Sequence, residues 1–177
     1  MFQEVSVRNV GVCSLALVTA LVGGSGVAHA GRSSSMAATC TVGDAAIQND
    51  LYTIASGSVR HRAGKIGTIT LYCPISSTIT AGGGPFGGWF MTFVDPDGPL
   101  DNYYIESQII RSDYSGHVAA VSPVLRSNSS ASNYREQALW HNYDFANYYY
   151  YVRINIFRAD TNNLPIFYGV GVDSIPY

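Results

Sequence analysis

The chain has 177 residues, 47% of them hydrophobic and only 12% charged, with a formal net charge of −2 at pH 7. That length suits one domain large enough to bury a core. Its one short basic patch, Arg60, His61, Arg62 and the single lysine Lys65, reads as a solvated loop, so nucleic acid and an anionic membrane surface are excluded as expected partners.

The N-terminus reads as an export signal. Arg8 precedes an apolar run from Val10 to Val22, which Gly23, Gly24, Ser25 and Gly26 end. Ala28 and Ala30 then supply the small residues of a cleavage site, so residues 1–30 are expected to be removed. The run is shorter than the ~20 apolar residues of a spanning helix, and no membrane span is expected after cleavage. Cys13 leaves with the peptide. Residues 31–39, rich in Ser, Ala and Gly, read as a flexible mature N-terminus, and residues 40–177 as a single domain. The expected location is secreted or periplasmic. In such an oxidising compartment Cys40 and Cys73, the remaining pair, are expected to form a disulfide.

Beyond Cys40, short β-runs alternate with turn signals. Leu51–Ile54 is the first. Ile66–Cys73 places Ile69, Leu71 and Cys73 on one face and Thr68, Thr70 and Tyr72 on the other, and Pro74 closes it. A glycine-rich loop, Ala81–Gly88, leads to a strand over Trp89–Val94. Asp95-Pro96-Asp97-Gly98-Pro99 reads as a turn. Tyr103–Arg111 is the next strand, and Val118–Leu125 an edge strand or bulge because of Pro123. Arg126–Asn133 reads as a polar loop, and Arg135–His141 fits a strand or a helical turn.

Tyr148–Phe157 alternates with Val152, Ile154 and Ile156 inward. Tyr149, Tyr151, Arg153 and Asn155 are then outward. Asp160–Asn163 reads as a hairpin turn, and Ile166–Val172 is the last strand. About eight short strands without a long helix predict an all-β fold, an antiparallel β-sandwich or jelly roll.

The segment Gly67–Ile75, G-T-I-T-L-Y-C-P-I, lies between Cys40 and the strand W-F-M-T-F-V-D. It resembles a loose group of small secreted bacterial β-rich proteins of unknown function, which share a signal peptide, a first cysteine and a strand ending in Cys-Pro-Ile or Cys-Pro-Leu. The likeness covers mainly residues 40–95. It implies fold and export, and no catalytic residues.

Candidate chemistry is sparse. Asp95, Asp97 and Asp101 on one short loop form a calcium candidate, because calcium takes several oxygens from flexible acidic turns. A plain turn explains them equally, and no metal or other cofactor is expected. Trp89, Trp140, Tyr149 and Tyr151 are candidate ligand-contact aromatics, since flat exposed rings stack on sugar faces or partner side chains. Asp113, Ser115 and His117 lie close in sequence, His141 and Asp144 are three apart, and Glu106 sits on a strand. None forms a recognised catalytic motif. The expectation is a secreted, non-catalytic binding module for a glycan, an envelope component or a cell-surface protein. A small secreted hydrolase is the alternative. If residues 1–30 are a signal peptide, N-terminal sequencing of exported protein should begin at Gly31; retention of Met1 refutes it.

Overall fold

The computed structural model describes residues 32–77, 86–129 and 133–174. The expected signal peptide, its cleavage point and residues 81–85 of the glycine-rich loop lie outside these. Within them the chain is a two-sheet antiparallel sandwich, as the alternation predicts.

One sheet, called here the upper sheet, contains β1 (Arg32–Met36), β3 (Tyr52–Ala55), β4 (Ser58–His61), β6 (Phe86–Val94), β10 (Tyr134–Trp140) and β12 (Ile166–Ser174). Its order is β10-β6-β12-β4-β3, with β1 also paired to β12. The lower sheet contains β2 (Thr41–Val42), β5 (Gly67–Pro74), β7 (Tyr103–Asp113), β8 (Val118–Ala120), β9 (Leu125–Arg126) and β11 (Tyr148–Arg158). Its order is β2-β5-β11-β7-β8, with β9 also on β7.

The core is made by the inward phases of both sheets. Ile69, Leu71 and Cys73 of β5 and Val152, Ile154 and Ile156 of β11 are buried, meeting Trp89, Met91 and Phe93 of β6. The predicted phases of β5 and β11 are therefore those observed. In β12 the phase changes. Phe167, Val170 and Val172 all face the core because the register shifts between Phe167 and Gly169, a bulge that leaves Tyr168 outside. Opposite β12, the Phe90 ring lies over Gly171 so closely that a Cβ there would stand 2.3 Å from it, so only glycine fits.

Four local expectations are corrected. Residues 32–36 are not a flexible tail but β1, paired with β12 from Arg32↔Asp173 to Met36↔Gly169. Its serines also reach the other sheet: Ser35 Oγ donates to Pro74 O at 3.1 Å, and Ser33 Oγ accepts from Ser76 N at 2.8 Å. Phe86–Gly88 belong to β6 rather than a loop. Asp160–Asn163 is not a hairpin turn, because β11 and β12 lie in different sheets and this segment crosses between them. Asp95–Pro99 crosses likewise, from β6 to β7.

The fourth correction concerns the basic patch. Arg60 and His61 lie on β4, and His61 is 1% exposed. Its Nε2–H donates to Gly67 O at 3.0 Å, while burial and then Arg158 hold its pKa down near 4 despite that bond. Arg158, 4% exposed, closes this end of the sandwich. It donates to the carbonyls of Asn163, Lys65 and Thr161 at 2.7, 2.8 and 2.9 Å. Backbone acceptors thus disperse a buried cation and hold two loops together.

The crossover from β1 to β2 is fastened by the disulfide Cys40–Cys73, with Cα atoms 4.4 Å apart at a sequence separation of 33. On the chain-entropy account such a loop contributes roughly 3–4 kcal/mol. A Cys40→Ala/Cys73→Ala double variant is therefore expected to lose stability of that order in urea unfolding. An unchanged midpoint would refute it.

Candidate functional site

The outer face of the lower sheet is set by β11. Because Val152, Ile154 and Ile156 point in, Tyr149, Tyr151, Arg153 and Asn155 point out. On β5 the outward residues include Thr70 and Tyr72. Register pairs Arg153 with Tyr72 and Tyr151 with Pro74, so Tyr72 is diagonal to Tyr151. Their rings meet edge-on with centroids 5.4 Å apart. Tyr149, 61% exposed, meets Tyr114 in the same manner at 5.0 Å. Tyr114 is fixed in turn by its hydroxyl, which donates to Ala146 O at 2.9 Å.

Between these rings lies an open groove of about 560 Å³. Tyr72, Tyr149 and Tyr151 line it together with Pro74 and Ile75, and so do Thr39 and Thr41 of the disulfide-fastened crossover, Thr41 being the register partner of Tyr72. Phe145 and Tyr150 also line it. Tyr150 is buried in an aromatic cluster with Tyr143, Phe145 and His141. Its hydroxyl accepts from Asp144 N at 3.1 Å and lies 3.3 Å from His141 Nε2. Burial raises the Tyr143 and Tyr151 phenols and lowers His141. The groove lining is largely aromatic and includes no Asp, Glu, Lys, Arg or His. The hydroxyls of Tyr72, Tyr149 and Tyr151 have no protein partner among the described residues.

The candidate aromatics divide. Tyr149 and Tyr151 share the groove. Trp140 is 66% exposed but stands on β10 in the upper sheet and does not line it. Trp89 is not a surface residue: it is 0% exposed, and its indole N–H crosses the core to Ser107 Oγ at 3.1 Å. The period of two through Trp89, Met91 and Phe93 carried that signal. Tyr114 and the two threonines were not anticipated, since only tertiary pairing brings them to Tyr149 and Tyr151.

The three aspartates of the calcium candidate do not converge. Asp101 faces Arg126 and accepts from the Asn128 amide. Among the described residues no group of three His, Cys, Asp or Glu side chains is placed to hold a metal. Asp95 accepts from Ser127 Oγ at 2.6 Å, and that same hydroxyl accepts from Ile105 N at 2.8 Å. Asp97 accepts from Asn102 N at 3.2 Å. Asp95 thus ties the β6–β7 crossing to the 3₁₀ turn Ser127–Ser129, while Asp97 braces the crossing itself.

The candidate catalytic groups are engaged locally. Asp113 accepts from the backbone N–H groups of Ser115 and His117, both at 2.9 Å, and from the exposed His117 ring at 3.0 Å. The Ser115 hydroxyl has no bond to that ring. Asp144 accepts from Ala146 and Asn147 rather than orienting His141. Glu106 is paired with Arg126. No helix among the described residues is long and apolar enough to cross a membrane.

No family model and no curated protein matches the chain. Several solved structures are similar in shape, each with a TM-score of 0.40. One is a family two carbohydrate esterase from Cellvibrio japonicus, at 14% identity over 83% of this chain and 35% of that one. Another is a low-affinity xylan-binding module from Roseburia intestinalis, at 13% identity over 81% of this chain and 94% of that one. A third concerns promiscuous carbohydrate-binding modules of a β-sandwich superfamily, at 14% identity over 82% and 56%. The chain thus spans about a third of the esterase and over half of the third.

The buried Asp95 carboxyl generates a prediction. Burial pushes its pKa up to about 6, with Asp97 adding to the rise and the Ser127 hydroxyl opposing it. A carboxyl whose folded pKa lies above its unfolded value contributes stability at low pH. That contribution is lost as pH rises through about 6. His61 works oppositely, losing stability as pH falls from its ordinary value toward about 4. Asp95→Asn keeps an acceptor for Ser127 and removes the titration. Its melting temperature relative to the parent is expected to rise between pH 4 and pH 7.5; a difference independent of pH refutes the assignment.

Proposed function

We propose that this chain is an exported binding module that holds a glycan across the tyrosine face of its lower sheet. One observation carries the reading. Tyr72, Tyr149 and Tyr151 stand on one side of one sheet, held by edge-on ring contacts and bordering an open groove, with hydroxyls free to bond.

Such a wall suits a sugar. Ring faces bind its apolar C–H surface, and phenolic and threonine hydroxyls meet its O–H groups. Tyrosine also supplies this area at small entropic cost, having only two side-chain torsions. Residues i and i+2 on one strand place Tyr149 and Tyr151 about 7 Å apart along the groove, so neighbouring rings face successive parts of an extended ligand. The disulfide supports export, because such bonds persist in oxidising compartments. The signal-like N-terminus and the resemblance to small secreted β-rich proteins support it too.

The test uses a Tyr149→Ala/Tyr151→Ala double variant on a glycan array, followed by calorimetry on any ligand found. Both side chains are on the outer face, so the fold should survive with a loss of roughly 1 kcal/mol or less. Binding should fall by at least about tenfold, from the loss of two stacked rings. Unfolding of the variant, or unchanged binding, overturns the reading.

A further inference from the structure

Beyond the tyrosines, the same outer face offers a row of hydrogen-bond donors. Arg153 follows Tyr151 by two residues on β11 and is the register partner of Tyr72, so it stands beside both tyrosines on the outer face. One of its N–H groups donates from Nη2 to Gln108 Oε1 at 2.6 Å. The Gln108 amide in turn donates to Ser122 O at 3.1 Å. Gln108 is therefore occupied at both ends and acts as a positioning residue for the guanidinium.

The remaining N–H groups of Arg153 have no acceptor among the described residues, and no carboxylate is within ion-pair distance of it. Asn155, next on the same face, accepts from Thr70 Oγ1 at 3.0 Å through its carbonyl, which leaves its amide N–H groups unengaged. The neighbouring acid is Glu106, register partner of Asn155, and Arg126 neutralises it while lying 4.4 Å over the Tyr104 ring.

Neutral sugar hydroxyls both donate and accept. Beside the tyrosine hydroxyls, which do both, the unengaged N–H groups of Arg153 and Asn155 can only donate, and they match a group that only accepts. A half-buried guanidinium with a planar fork fits an anionic oxygen pair in particular. We propose that the ligand is an anionic glycan, with a carboxylate or sulfate against Arg153 and Asn155 and the adjoining sugar against Tyr72 and Tyr151. This specificity rests on the tyrosine-face reading and extends it.

The experiment measures calorimetric affinity of the folded mature protein for oligogalacturonate and for its carboxyl-reduced neutral counterpart. A parallel arm compares dextran sulfate with dextran. The variants are Arg153→Gln, Arg153→Lys and, as a charge-matched control on the upper sheet, Arg60→Gln, each checked by circular dichroism.

The parent should prefer at least one anionic form by about tenfold or more, as expected for a charge-assisted bond. Preference in the first arm identifies carboxylate as the recognised group, and preference in the second identifies sulfate. Arg153→Gln should bring the ratio near one. Arg153→Lys should keep part of the preference, and Arg60→Gln all of it. Equal binding of charged and neutral forms by the parent overturns the inference and leaves the tyrosine face standing. An equal loss in Arg153→Gln and Arg60→Gln also overturns it, as diffuse charge attraction. If the parent binds none of the four, the inference fails. If the Tyr149→Ala/Tyr151→Ala variant binds as the parent does, the tyrosine-face reading fails with it.

Discussion

Strand β11 is hydrogen-bonded on both flanks, to β5 over Tyr151–Arg158 and to β7 over its whole length. Its side chains alternate with period two, and Val152, Ile154 and Ile156 take the core. A slip of one residue would turn those aliphatics outward and bury Arg153 and Asn155, at a cost of several kcal/mol if unpaired. The phase of this one strand therefore dictates the surface. Tyr149, Tyr151, Arg153 and Asn155 share a face because three aliphatics share the other.

That face becomes a site only through neighbours. β5 contributes Tyr72 by antiparallel register, and the crossover from β1 to β2 contributes Thr39 and Thr41. The crossover is held from three directions: by the disulfide, by the serine contacts of β1 to the end of β5, and by the pairing of β1 with β12. A groove wall anchored this way loses little conformational entropy on meeting a ligand. The groove and the N-terminal fastening are thus one structural problem with one solution.

The interior handles its polar groups by pairing them across elements. Trp89 and Ser107 join the two sheets through one bond in the core. Ser127 serves Ile105 and Asp95 together, and Arg158 is spread over loop carbonyls. Several of these bonds join segments far apart in sequence, so they also specify which loops meet. Asp95 carries the tension in this arrangement, since burial and Asp97 both oppose its charge.

Much of this was readable from the chain alone. The all-β class, the Cys40–Cys73 bond and the inward faces of β5 and β11 follow from composition, from the cysteine count and from local alternation. Each of these depends on residues close in sequence or on a cysteine pair without competitors. Other features were not readable. Alternation groups Trp89 with Met91 and Phe93, but the other face of that run carries Phe90 and Val94, so only packing decides which face is the core. Asp160–Asn163 has hairpin composition yet joins two sheets, because turn chemistry governs backbone dihedrals and not which sheet receives the next strand. Arg32–Met36 has no apolar alternation, and its strand exists because β12 presents an open edge for backbone pairing. The meeting of Tyr72 with Tyr151, and of Arg153 with Gln108, is a matter of register between strands far apart in sequence. Alternation determines the side of a strand on which a residue stands; only long-range hydrogen bonding and packing of the two sheets decide what stands beside it.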